Sequence, residues 1–161
     1  GFLPIIAGGF LAMAAGIGGV VWGGTHEVFP AYLAGLFITG LGAGFVMSVS
    51  STAIIGAAPA SRSGMAAGVE EVSYEFGTLL SIAVTGSVLP MLYKSGLPED
   101  IQDLGMKALH NPTLAEAAGA AYNDAYLATA AGLGVVMLVF AAVTGWCFRS
   151  NPTSGGADAT R

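Results

Sequence analysis

Three carboxylates stand close together in a stretch that is otherwise apolar enough to cross a bilayer: Glu70, Glu71 and Glu75 in GMAAGVEEVSYEFGTLLSIAVTGSVLPMLY, residues 64–93. A spanning helix needs about 20 mainly apolar residues, and an ionised side chain at the bilayer centre costs ~2.5 to 3.5 kcal/mol even on the lenient insertion scale. Acids placed there lie at the membrane surface, carry a proton, or face a polar interior. On a helical wheel Glu71, Glu75, Thr78 and Thr85 fall within about 80° of one another, and Tyr74, Ser81 and Glu70 widen that arc to about 140°. Val69, Val72, Phe76, Leu79, Leu80, Ala83 and Val84 take the remainder, and Ile82 and Leu89 interrupt the polar stripe. One face suits lipid or helix packing and the other a polar interior.

Depth separates the three acids. At ~1.5 Å per residue, Glu71 lies about 10 Å and Glu75 about 16 Å below Gly64, the latter halfway through a ~30 Å hydrocarbon core, whereas Glu70 is a mouth residue at the edge of the arc. A carboxyl removed from water, with a second carboxyl one turn away, favours its protonated form, and an arriving cation favours proton release. Glu75 and its partner Glu71 therefore suit exchange of a proton for an organic cation. Tyr74 offers an aromatic face and a hydroxyl beside them.

The elements that must position this face are four predicted spanning helices. Hydrophobic residues make up 54% and charged residues 9% of the 161 residues, with 25 glycines and a mean hydropathy of +0.72. Soluble domains carry about 25% charged residues, so the chain reads as an all-α membrane protein. The spans are about 1–23, 31–58, 64–92 and 125–148, with a helical outer loop over 94–123 and a disordered tail over 150–161. In the first span Gly8, Ala12 and Gly16 recur every four residues, a spacing that lets a neighbouring helix approach closely. In the second, Gly40, Gly42 and Gly44 mark a tightly packed or flexible point, and Ser48, Ser50, Ser51 and Thr52 either bond back to their own helix or line a polar passage.

Pro90 and Tyr93 mark the exit of the third span. The outer loop reads as two short helices, one opening at Pro98 with Glu99 and Asp100 in its first turn. The other opens at Asn111 and Pro112, close enough to join the last span. Trp22, Tyr126 and Trp146 have the placement of interfacial anchors. Arg62, Arg149 and Arg161 fall on one side against Lys94 and Lys107 on the other, which puts the Arg62 turn and the C-terminus in the cytoplasm. The chain opens on Gly1 directly in an apolar run, the pattern of a piece of a longer membrane protein.

Other chemistry finds little footing. There is no phosphate-binding Gly-rich loop, no His-Glu-x-x-His and no paired-cysteine motif, so no cofactor or metal is implied. Cys147 is a small apolar filler at a helix end, and His26 and His110 fall in predicted loops away from any serine nucleophile, so the chain is not read as an enzyme. The net charge of -5 says little about partners, because three of the ten acids sit in the third span and most others in two connecting loops; nucleic acid is not an expected partner.

Ala67-Gly68-Val69-Glu70-Glu71, Tyr74-Glu75-Phe76-Gly77, Val84-Thr85-Gly86-Ser87 and Asn123-Asp124-Ala125-Tyr126, taken in order, resemble the C-terminal end of the fourteen-helix drug:proton antiporters of the major facilitator superfamily. The resemblance is greatest to the QacA and SmvA type, which exports quaternary ammonium compounds and other lipophilic cations. It extends over essentially the whole chain, which would form helices eleven to fourteen. It implies that Glu71 and Glu75 face a central cavity where acids serve cation recognition and proton coupling, in the plasma membrane of a bacterium. It also implies, as partners, lipid, the remaining N-terminal helices of the same transporter, organic cations and protons. Two rival expectations stand beside it: a major facilitator exporter of a metabolite or antibiotic that uses the acids only for protons, and a small structural subunit that oligomerises in the membrane.

Overall fold

The computed structural model describes residues 3–150 and is built of helices: α1 (Leu3–Thr25), α2 (Phe29–Ala57), α3 (Ser63–Gly96) and α4 (Ala115–Ser150). Short 3-10 pieces at Ala60–Arg62 and Glu99–His110 connect the later helices. All four α-helices contain a segment long and apolar enough to cross a membrane. The disordered tail expected from the sequence falls, from residue 151 onward, outside the described residues, as does Arg161 in the orientation count.

Local signals explain most helix ends. Pro30 lies in the first turn of α2, where its missing N–H leaves no intrahelical bond unmade. The turn before it is tight: the Val28 amide donates to the Gly23 carbonyl at 2.8 Å, and Glu27 adopts φ 57°. That combination is a helix-ending reversal whose left-handed position is usually glycine. Pro90 lies inside the third helix: without an N–H it cannot donate to the Gly86 carbonyl, yet α3 continues to Gly96, an interruption that spanning helices tolerate. Pro98 caps the Glu99–His110 segment, which Gly105 breaks in two with φ 52°. The Asn111 side chain accepts from the Thr113 amide at 3.1 Å and from the Thr113 hydroxyl at 2.8 Å, and α4 starts after that turn.

The helices alternate in direction, and α1 lies between α2 and α4. Its seam with α2 is made of glycine. A Cβ on Gly16 would sit 2.5 Å from the Thr39 amide nitrogen and 2.7 Å from the Gly35 carbonyl oxygen. One on Gly35 would sit 2.5 Å from the Val20 nitrogen, one on Gly42 2.8 Å from the Gly9 oxygen, and one on Gly23 2.5 Å from the Tyr32 nitrogen. These obstacles are backbone and cannot swing aside. The stripe therefore runs Gly9, Gly16, Gly23 on α1 against Gly35 and Gly42 on α2, every seventh residue, which is two turns of helix. The sequence reading placed it at Gly8, Ala12 and Gly16. Gly16 holds that position, whereas Gly8 opens onto empty space; likewise Gly42 alone of the Gly40, Gly42 and Gly44 group is packed tightly. On the other side of α1, Ile17 meets Gly134, Leu127 meets Gly24, and the rings of Phe10 and Phe140 stack at 5.7 Å.

A different kind of packing holds the C-terminal end of α3 and the N-terminal part of α4. Tyr93, Leu97, Ile101, Ala108, Ala118, Ala121 and Ala125 form a buried cluster with the Glu99–His110 segment. Tyr93, 1% exposed, donates its hydroxyl to the Gly105 carbonyl at 3.2 Å and meets the Tyr122 ring edge-on at 6.0 Å. At 34 and 36 residues, α3 and α4 each run more than 50 Å, some 20 Å beyond a ~30 Å hydrocarbon core. Within the spans, by contrast, Phe37, Phe76, Leu79 and Val139 point outward, as lipid-facing side chains do.

Two measurements check this division. Gly16→Leu or Gly35→Leu is expected to destabilise helix association by about 2 kcal/mol or more in denaturant titrations in detergent, whereas Gly8→Leu and Gly40→Leu stay within about 0.5 kcal/mol. Tyr93→Phe is expected to cost about 1 kcal/mol and to raise amide exchange across residues 97–110 without altering exchange in α1.

Candidate functional site

The four residues expected to bind protons or substrate all lie on α3, but the structure treats them differently. Glu70 is half-buried against α2 and accepts a hydrogen bond from the Ser51 hydroxyl at 3.3 Å. Glu71, Tyr74 and Glu75 are exposed, and every residue from Glu71 to Gly77 is exposed with them. Two full turns of α3 are therefore uncovered on all sides by the other described helices. The helix rejoins the group at Thr78 and Thr85, both half-buried, and is held fast at Tyr93. Along α3, Glu71 and Glu75 thus stand between the Ser51–Glu70 contact and the half-buried Thr78 and Thr85.

Geometry sorts the other hydroxyls of α3 and its neighbours, Thr78 within the arc and Ser73 on the opposite face. Thr78 donates to the Tyr74 carbonyl at 3.0 Å and Ser73 to the Val69 carbonyl at 2.7 Å, so both hydroxyls spend their protons on their own helix and retain only acceptor capacity. Thr52 does the same with Ser48 on α2, while Ser51 alone of that serine-rich group reaches another helix. Thr85 lines a cavity of about 360 Å³ shared by all four helices, with Ile17, Leu36, Thr39 and Thr129 among its walls. It lies about 15 Å along α3 from Glu75. Thr39 and Thr129 each donate at 2.8 Å to carbonyls of their own helices, so the cavity is apolar with hydroxyl oxygens available as acceptors.

Sequence reasoning missed one contact at the far end of the bundle. The hydroxyls of Tyr32 and Tyr126, 94 residues apart, meet at 3.1 Å. Tyr126, read as an interfacial anchor, instead turns half-buried toward α2. His26, read as a solvated loop residue, is exposed, and its ring stacks on Trp22 at 4.9 Å with Nδ1 2.9 Å from the Trp22 carbonyl. No periodicity flags the long-range tyrosine pair, whereas His26 follows Trp22 at the helical spacing of four and its amide donates to the Trp22 carbonyl at 3.1 Å.

A double-mutant cycle tests the Ser51–Glu70 contact. Ser51→Ala and Glu70→Ala are each expected to weaken α2–α3 association, with a coupling of about 0.5 to 1 kcal/mol between them; additivity would show that the two side chains do not meet.

No family model matches the chain, and no solved structure matches it. Among curated proteins it is similar to the multidrug efflux pump LfrA of Mycolicibacterium smegmatis, 28% identical over 138 residues, which is 74% of this chain and 27% of that pump. The chain spans about a quarter of the length of this relative. Four apolar helices of spanning length and this similarity make it a membrane protein with homology to a multidrug efflux pump.

Proposed function

We propose that the chain forms the last four helices of a proton-coupled multidrug efflux transporter, of the fourteen-helix QacA/SmvA type, in a bacterial plasma membrane with its C-terminus in the cytoplasm. The observation that carries this reading is the uncovered stretch of α3: two carboxylates one turn apart, in an apolar helix, facing no other described helix. Such acids need either the remaining helices of a longer transporter or a polar cavity against them. The similarity to a longer multidrug efflux pump, of which the matched stretch is 27%, supports the first. Glu75 and Glu71 hold protons from the external side, an incoming lipophilic or quaternary ammonium cation displaces them, and Tyr74 adds a ring face to the cation. Alternating access then follows from rocking of the two halves of the complete transporter about this site. The chain alone supplies part of one half.

Efflux of ethidium from cells expressing the complete protein tests the assignment. Glu71→Gln and Glu75→Gln are each expected to lower the initial efflux rate at least about tenfold while leaving protein levels unchanged. Efflux by the unaltered protein is expected to stop when the transmembrane proton gradient is collapsed. Wild-type efflux in both variants would overturn the site assignment. Efflux indifferent to the gradient would overturn proton coupling.

A further inference from the structure

At the end of the bundle opposite Glu70, Glu71 and Glu75, a cavity of about 520 Å³ opens between the α1–α2 turn and the first turns of α4. Its walls are four aromatic rings, Phe29, Tyr32, Tyr122 and Tyr126, with the carboxylate-bearing side chain of Glu27 at the rim. Three of the four rings have partners before any ligand arrives, whereas Phe29 is 67% exposed. Tyr32 lies so close to α1 that a Cβ on Gly23 would be 2.5 Å from its nitrogen, its hydroxyl meets that of Tyr126 at 3.1 Å, and Tyr122 abuts the buried ring of Tyr93. Fixing the walls in advance removes the ordering cost that a flexible site would pay on binding. Glu27 itself holds the left-handed position that ends α1, where glycine is the low-cost residue, although Gly23 and Gly24 stand just before it.

The wall chemistry selects among ligands. Aromatic faces carry negative potential and attract cations, and the Glu27 carboxylate adds to that attraction while opposing anions. A hard metal ion would need several oxygen ligands at short range, whereas this rim offers one carboxylate and the Asn123 amide around a space large enough for a multi-ring molecule. We propose that this cavity is a second binding site for bulky organic cations bearing aromatic or alkyl groups. Its place as a station on the transport path rests on the efflux reading above; its existence as a cation site does not. Tyr122 and Tyr126 also line the 360 Å³ cavity that contains Thr85, so the two spaces share a wall.

The test removes the α3 carboxylates first. In the complete protein carrying Glu71→Gln and Glu75→Gln, reconstituted in lipid nanodiscs, tetraphenylphosphonium is expected to bind saturably by calorimetry. The neutral triphenylphosphine oxide is expected to bind at least about tenfold more weakly. Adding Glu27→Gln is expected to weaken tetraphenylphosphonium binding about tenfold, and Tyr126→Leu to do the same, while Tyr126→Phe, which keeps the ring, changes it less than about threefold. Absence of saturable binding in the starting variant, equal affinity for the neutral probe, or indifference to Glu27→Gln would overturn the proposal. None of these results bears on the α3 site, whose failure shows instead as undiminished ethidium efflux in the same starting variant.

Discussion

Backbone touching backbone along the α1–α2 seam is the constraint on which the rest of the bundle depends. In a bilayer, apolar side chains gain nothing from leaving lipid for protein, so two helices associate only as far as shape and dispersion allow. Glycine at Gly9, Gly16, Gly23, Gly35 and Gly42 lets the two backbones approach until their peptide groups meet, and nothing larger fits. That pair fixes Tyr32, and through the Tyr32–Tyr126 hydroxyl contact it positions α4 as well. The tight turn at Glu27 follows from the same closeness, since little room remains to reverse the chain.

Helix α3 is held by other means. Its C-terminal end is anchored by the buried cluster around Tyr93, and its N-terminal part touches α2 through the Ser51–Glu70 bond. Between them, Glu71 to Gly77 stand clear. A helix pinned at its ends and unencumbered at the level of its acids can present those acids to helices from elsewhere in a longer protein without first giving up contacts within this one. The chemistry that was suggestive in the sequence therefore lies on the element least committed to the other described helices.

The four helices were legible because the bilayer imposes a length and a composition that few other environments impose, and the carboxylates of α3 were conspicuous against that background. The phase of the glycine stripe was not. With 25 glycines in the chain, spacings of four and of seven can both be drawn through α1, and only the neighbour across the seam distinguishes Gly8 from Gly9. Depth and wheel position already set Glu70 apart from Glu71 and Glu75, but its partner Ser51 belongs to another helix and leaves no trace in the pattern of α3. Tyr126 fitted the interfacial-anchor rule by composition, whereas its actual partner lies 94 residues earlier.

The seven-residue glycine repeat also limits how this segment can diverge. Exchanging lipid-facing side chains leaves the seam untouched, so identity can fall far while the fold persists. Inserting or deleting one residue in α1, however, rotates everything beyond it by about 100° and carries half the stripe off the interface. Homologous segments are thus free to drift in composition but bound in length between Gly9 and Gly42, and a gap placed there in an alignment marks an error of alignment or a different packing of the first two helices.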